Sequence, residues 1–153
     1  MNHSNIQSLV PSASKVLDLG CGSGCIGISL YHENPKISLS LADFSKNALR
    51  VAKKNVAELG VKCKFINSNL FLNIDEKFDL IVANLPYIAK ESFLRLQREI
   101  ILYEPHEALY GGISGVDIIK LFLGDVSRHL NRNGTFLIEF GKGQDKLLKQ
   151  ELL

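Results

Sequence analysis

Three cysteines, Cys21, Cys25 and Cys63, are too few and of the wrong parity for a closed disulfide set. That excludes a disulfide-stapled scaffold, and with no secretory leader at the start the chain reads as cytoplasmic. His3, His32, His106 and His129 stand apart, without ligand spacing or a neighbouring nucleophile motif, so no metal is expected. Cys21 and Cys25 fall within one glycine-rich turn and no cysteine–histidine pair follows, so they read as small buried thiols. No apolar run approaches the ~20 residues of a membrane span. Eighteen basic against sixteen acidic residues leave a net charge of only +2. This is too weak for electrostatic capture of nucleic acid, which is not expected as a partner. The lysine pairs Lys53-Lys54 and Lys62/Lys64 read as solvated surface. Repeats and low-complexity linkers are also missing. A chain of 153 residues at 46% hydrophobic content has material for one core, hence one domain over residues 1–153.

What is present is an alternation of strands and helices. Lys15–Leu19, Ile37–Ala42, Cys63–Ile66 and Phe78–Ala83 are short apolar runs of the kind buried on both faces of a parallel sheet. Between them, Gly24–Tyr31 predicts a helix opening on the glycine turn. Ser45 predicts a cap for a second helix, with Ala48, Leu49, Ala52, Val56 and Leu59 at helical spacing until Gly60. Helices are also predicted over Glu91–Leu102 and Val116–Leu130, then a turn at Asn131-Arg132-Asn133-Gly134. A fifth strand over Thr135–Phe140 and a helix from Gln144 complete the pattern. The class is α/β with right-handed crossovers and a mostly parallel sheet, whose ligands bind beyond the carboxyl ends of the strands.

Two sequence features end such strands. The first is Asp18-Leu19-Gly20-Cys21-Gly22-Ser23-Gly24, which also contains G-x-G-x-x-G and so admits a nicotinamide or flavin enzyme. Asp18 favours a different ligand: its carboxylate repels a pyrophosphate and suits the cationic amino-acid end of S-adenosyl-L-methionine. Asp43, closing the second strand, can accept from both ribose hydroxyls or, more blandly, favour a helix start. Asn69-Leu70-Phe71 follows the third strand, where an adenine edge would lie. The second feature is Asn84-Leu85-Pro86-Tyr87 after the fourth strand. The Asn84 side-chain carbonyl and Leu85 backbone carbonyl can accept from a planar amide or amine, Pro86 restricts the loop, and Tyr87 offers a ring. An Asn-x-Pro turn of no function has the same local chemistry. In the functional reading the two loops share one site for methyl transfer to nitrogen.

The segments VLDLGCGSGCIGISL, LADFSKNALRVAKKN, NSNLF, FDLIVANLPYI and YEPHEALYGGISGVD together resemble the HemK-like protein-glutamine methyltransferases. That family modifies the glutamine of the Gly-Gly-Gln motif in peptide chain release factors. The resemblance covers about Lys15 to Gln144 and implies a Rossmann-like class I methyltransferase fold with strand order 3-2-1-4-5. It implies cofactor binding by Asp18, Gly20, Cys21, Gly22, Gly24, Asp43, Phe44, Asn69, Leu70 and Asn84. Catalysis falls to Asn84, Leu85, Pro86 and Tyr87, and the substrate side to Asn84, Pro86, Tyr87, Glu104 and Pro105. The implied partner is a release factor. Leu85 departs from the family's usual Asn-Pro-Pro-Tyr, and Asn-Leu-Pro-Tyr is also typical of ribosomal RNA adenine dimethyltransferases. An adenine amino group therefore stands as the alternative substrate, and a catalytically silent domain as the non-enzymatic one. The chain is also expected to lack the family's N-terminal helical domain and C-terminal hairpin, which leaves the fifth strand as an open edge.

Overall fold

The computed structural model describes residues 14–97, 100 and 105–149. Its backbone divides into two compact units. Of the described residues, one holds those to Ala83 together with Val126–Leu137, and the other those between Asn84 and Asp125 and from Ile138 onward.

The first unit is built on a sheet. Strands β1 (Lys15–Leu19), β2 (Ser38–Asp43), β3 (Cys63–Asn67), β4 (Phe78–Ala83) and β5 (Leu130–Ile138) lie in the order β3-β2-β1-β4-β5. This is the order expected. The β1–β2, β1–β4 and β2–β3 pairs are parallel, with Asp18 opposite Leu41 and Val82, and Leu19 opposite Ala42 and Ala83. Val16, Leu17, Leu41 and Ile81 have no exposed surface, because central parallel strands are covered on both faces.

Helix α1 (Cys25–Glu33) starts on Gly24 and buries Gly27, Ile28 and Leu30. Helix α2 (Lys46–Glu58) starts on Ser45, whose hydroxyl accepts from the Ala48 N–H at 3.4 Å, and buries Leu49, Ala52 and Val56. It ends where Gly60 takes φ 65° and the Val61 N–H reaches the Val56 carbonyl at 3.0 Å.

The contact between α1 and β2 is tight enough to test. A methyl group on Gly27 would lie 2.5 Å from Leu41 Cδ2 and 3.1 Å from both Asp18 Oδ2 and Leu39 Cδ1. Leu41 has no exposed surface and Leu39 is buried. Gly27→Ala gains about 1 kcal/mol of helix propensity but costs about 1–3 kcal/mol in overpacking. The expected result is a net loss of stability, read as a lower urea midpoint with an unchanged slope.

The second unit carries α3 (Lys90–Phe93), α4 (His106–Leu109), most of α5 (Asp117–Val126) and α6 (Asp145–Lys149). Three expectations are corrected here. The helix predicted over Glu91–Leu102 is interrupted: its first turn ends at Phe93, tighter bonds follow from the Arg95 N–H to Ser92 and the Leu96 N–H to Phe93, and Ile100 is helical again. The Phe93 ring is instead engaged edge-on by His106 and Tyr110, with centroids 5.2 and 5.7 Å away. A short helix has little cooperativity with which to resist such contacts. Residues 98–99 and 101–102 lie outside the described residues.

The predicted Val116–Leu130 helix ends at Val126 and passes through a 3-10 turn, Ser127–His129. The expected turn at Asn131–Gly134 lies inside β5, which starts at Leu130 and stops before Phe140. Asn133 does take a left-handed φ of 67°. The Asn131 amide, however, donates to Asp79 Oδ1 at 2.7 Å and ties the segment to β4 instead of reversing it.

Candidate active site

In the first unit the glycine turn is fastened to the end of β2. The Gly20 and Cys21 N–H groups both donate to the Ala42 carbonyl, at 2.9 and 3.0 Å. The Asp43 carboxylate accepts from the Gly22 N–H at 2.9 Å and from the Ser45 N–H at 2.8 Å, one bond to each oxygen. Each oxygen keeps acceptor capacity for a ligand hydroxyl. From α2, the Asn55 amide donates to the Ser23 carbonyl at 2.9 Å and steadies the far side of the turn.

Asp18 is the most heavily buried carboxylate in the described residues, at 1% exposure. Its Oδ2 accepts from the Gly27 N–H at 2.8 Å, while Oδ1 has no hydrogen-bond partner among the described residues. Burial pushes its pKa up to about 6, against the lowering effect of the Gly27 bond and with a further rise from the Asp43 carboxylate. The same burial, reinforced by Asp18 and Asp43, drives the Cys21 thiol far up, so it is inert as a nucleophile. Cys25, expected to be buried like Cys21, is exposed on the first turn of α1. Opening the helix on Gly24 turns its side chain outward.

After β3, the Asn67 amide donates to the Asp43 and Phe44 carbonyls at 2.9 and 2.8 Å. The buried Ser68 hydroxyl donates to the Leu70 carbonyl at 2.7 Å and accepts from the Asn73 N–H at 3.0 Å. These bonds hold Leu70 at φ 47°, a conformation costing a side-chain-bearing residue about 1–3 kcal/mol. Phe44 is half exposed, and Asn69 is exposed. The predicted residues of the first three strand ends are therefore gathered on one connected set of backbone bonds. Asn55, Asn67 and Ser68, which supply that set, were not singled out by the sequence reading.

In the second unit, Asn84 follows directly on the last residue of β4. Its side chain is exposed, Leu85 is buried, and Pro86 and Tyr87 are half-buried. The following backbone is tied to the Tyr110–Asp117 segment. The Ile88 N–H donates to Leu109, the Gly111 N–H to Ile88, and the Lys90 N–H to Gly112, at 2.9, 2.9 and 3.2 Å. A side chain on Gly111 would come within 2.7 Å of the Pro86 carbonyl and of the Tyr87 Cα, so the two segments pack backbone to backbone. Asp117 fixes the turn between them, accepting from the Ile113 N–H at 2.7 Å and from the Ser114 hydroxyl, whose bond holds the carboxyl below its usual range. Pro105 is exposed at the start of α4, and the Ala108 N–H donates to its carbonyl at 2.9 Å. Glu104 lies outside the described residues.

Residues 4–112 match the family described as methyltransferase small domain. The chain belongs to that family. A release factor glutamine methyltransferase of Koribacter versatilis is 40% identical over 129 residues, covering 83% of this chain and 46% of the relative. A ribosomal protein uL3 glutamine methyltransferase of Francisella tularensis is 36% identical over 143 residues, covering 92% and 45%. The chain thus spans less than half the length of either relative. The ribosomal protein L11 methylase of Lactobacillus delbrueckii subsp. bulgaricus superposes with a TM-score of 0.70 at 22% identity, over 99% of this chain and 68% of that one. Its likeness supports the class I methyltransferase fold.

S-adenosylmethionine is the cofactor that the fold family implies, and the residues present fit it. A buried carboxylate oxygen, without a donor among the described residues, lies at the end of β1. At Gly22, where φ is 56°, a side chain would enter open space, so the turn leaves room for a ligand to approach its backbone. A pyrophosphate would meet two carboxylates there, Asp18 and Asp43. Among the described residues, no group of three or more His, Cys, Asp or Glu side chains could hold a metal ion. Nor is any described helix long and apolar enough to cross a membrane.

Proposed function

We propose that the chain transfers the methyl group of S-adenosylmethionine to the side-chain amide nitrogen of a protein glutamine. The first substrate in this reading is the glutamine of a Gly-Gly-Gln motif in a peptide chain release factor, met in the cytoplasm. The observation that carries it is the loop after β4, with an exposed Asn84 carboxamide at its head and a backbone locked behind it. The names of the two relatives, both glutamine methyltransferases, support the glutamine amide as acceptor.

Asp18, Gly20, Cys21, Gly22 and Gly24 take the amino-acid end of the donor, Asp43 its ribose, and Phe44, Asn69 and Leu70 its base. When bound, S-adenosylmethionine supplies a methyl carbon on a sulfonium, whose sulfur keeps the old bonding pair as the nitrogen lone pair forms the new bond. An amide nitrogen is a weak nucleophile because its lone pair is delocalised into the carbonyl. The Asn84 carbonyl and the Leu85 backbone carbonyl accept its two N–H groups and hold the lone pair toward the methyl carbon. Pro86 keeps φ of the loop fixed, and the Tyr87 ring faces the planar amide, with Pro105 and Glu104 on the substrate side. Orientation is then the main contribution of these residues. No strong base is required, since the methylated nitrogen sheds its proton readily to water.

The test is transfer of labelled methyl to a release factor and to its Gln→Ala variant in the Gly-Gly-Gln loop, with uL3, RNA and DNA in parallel. Label on the native factor that disappears with the Ala variant supports the reading. Label that persists on that variant, or falls only on nucleic acid, rejects it. Label on uL3 alone keeps the chemistry and moves the partner.

A further inference from the structure

Tyr87 is held at both ends by the segment that follows β5. Its hydroxyl donates to Glu139 Oε1 at 2.9 Å. Its backbone carbonyl accepts from Gln144 Nε2 at 2.8 Å, and the other end of the same carboxamide, Oε1, accepts from the Gly141 N–H at 2.8 Å. The arrangement allows one orientation of the Gln144 amide. Turned over, it would set oxygen against the Tyr87 carbonyl and an amine against the Gly141 N–H.

The backbone of Gln144 is fixed too, donating to the Gly141 carbonyl at 3.1 Å and accepting from the Leu148 N–H at 3.0 Å. Leu148, on the next turn of α6, is buried at 4% exposure and anchors that helix. Gly115 closes over the bond so tightly that a side chain there would lie 2.7 Å from both Gln144 Nε2 and the Tyr87 carbonyl. A hydrogen bond shielded in this way loses little to water.

Engaging the Tyr87 carbonyl has a consequence for the loop ahead of it. The carbonyls of Tyr87 and Ile88 are occupied, by Gln144 and by the Gly111 N–H. Those that the methylation reading assigns to the substrate, on Asn84 and Leu85, come earlier and are left to it.

We propose that Gln144 and Glu139 are positioning residues for the amide-holding loop, Gln144 fixing its backbone and Glu139 the plane of the Tyr87 ring; this rests on the methylation reading above. A glutamate at 144 would turn a carboxylate toward a carbonyl, and an asparagine would fall one methylene short. At 139 a glutamine still accepts from the tyrosine hydroxyl, whereas an alanine does not.

The experiment compares Gln144→Ala, Gln144→Glu, Glu139→Ala, Glu139→Gln and Tyr87→Phe in steady-state methyl transfer to the release factor. It also follows ring-labelled tyrosine by NMR and the exchange of the Gly141 amide. Gln144→Ala and Gln144→Glu are each expected to lower kcat by about 10- to 100-fold. The KM for S-adenosylmethionine should move by less than about 2-fold. Glu139→Gln should recover most of the rate lost in Glu139→Ala, and Glu139→Ala should cost nothing further in a Tyr87→Phe background. The hydrogen bond to Glu139 holds the Tyr87 hydroxyl above the usual tyrosine range. Its labelled carbon should therefore titrate earlier in Glu139→Ala, and the Gly141 amide should exchange faster in Gln144→Ala.

An unchanged kcat in Gln144→Ala, a donor KM that worsens in step with kcat, or an unmoved tyrosine titration in Glu139→Ala overturns the assignment. If the native chain methylates no amide, the methylation reading fails. The tyrosine signal and the Gly141 exchange then decide by themselves whether these two side chains hold the loop.

Discussion

Asn84→Ala is expected to lower methyl transfer by about two to three orders of magnitude while leaving donor affinity within a few-fold of native. The size follows from the chemistry asked of that side chain. Amide resonance delocalises the nitrogen lone pair into the carbonyl π system, perpendicular to the amide plane, and two acceptors on its N–H groups must set that plane and steady it. Removing one leaves the group free to rotate about the other. The loss should therefore fall in kcat with the donor KM preserved, because the bond removed is one to the amide. Because Asn84 is exposed, its truncation should change stability by no more than about 0.5 kcal/mol, so a dead variant is not an unfolded one. Asn84→Asp sharpens the comparison: it keeps an acceptor but adds a charge beside an uncharged amide. Single-turnover methylation with donor binding measured by calorimetry checks all three points. Turnover within tenfold of native in Asn84→Ala would remove the loop from the chemistry.

The parts of this site that are legible in sequence are those set by neighbouring residues. Asp18 and the glycines follow a strand and open a helix, Asp43 closes the next strand, and Ser45 caps α2 as its position predicts. The parallel sheet followed from the βαβ alternation, and its strand order 3-2-1-4-5 from the family resemblance. The supports were not legible, because they join residues far apart in the chain. Asn55 meets Ser23 across 32 positions, Tyr87 meets Glu139 across 52, and Gln144 meets Tyr87 across 57. Nothing local marks Gln144 beyond the glycines at 141 and 143. The errors have the same origin. Phe93 has the spacing of a longer helix, and its ring contacts with His106 and Tyr110 prevail over that spacing. The Asn133-Gly134 pair does carry a left-handed residue, yet the Asn131–Asp79 bond keeps the chain in the sheet. Local conformation was legible there, and direction was not.

Asp18→Asn is expected to move stability and donor binding in opposite directions, with a dependence on pH that identifies the charge as the cause. In the folded chain the Asp18 carboxyl titrates near 6, because burial disfavours its ionised form. In the unfolded chain it titrates near the ordinary aspartate value of about 3.9. The folded state therefore binds the proton more tightly. This site's contribution to stability is full below about pH 4 and is lost as pH rises through about 6. Two pKa units correspond to about 3 kcal/mol, the cost of holding the ionised group in the ligand-free chain at neutral pH. An asparagine keeps the bond from the Gly27 N–H and carries no charge, but leaves an amide in place of the unpaired oxygen, at about 1–3 kcal/mol. Whatever that amide costs, it is the same at every pH. The difference in unfolding free energy between Asp18→Asn and native should therefore shift in favour of the variant by about 3 kcal/mol between pH 4 and pH 8. Donor binding should fall by about 10- to 100-fold in the variant at pH 8, since the cationic end no longer meets a negative charge in a poorly solvated turn. In the native chain that affinity should weaken as pH falls through 6, and in the variant the dependence should be flat. Urea titrations and donor calorimetry at both pH values measure the two effects on the same samples. A stability difference that ignores pH would show that the Asp18 charge is not strained, and a variant that binds the donor as tightly as native would take Asp18 out of the cofactor site.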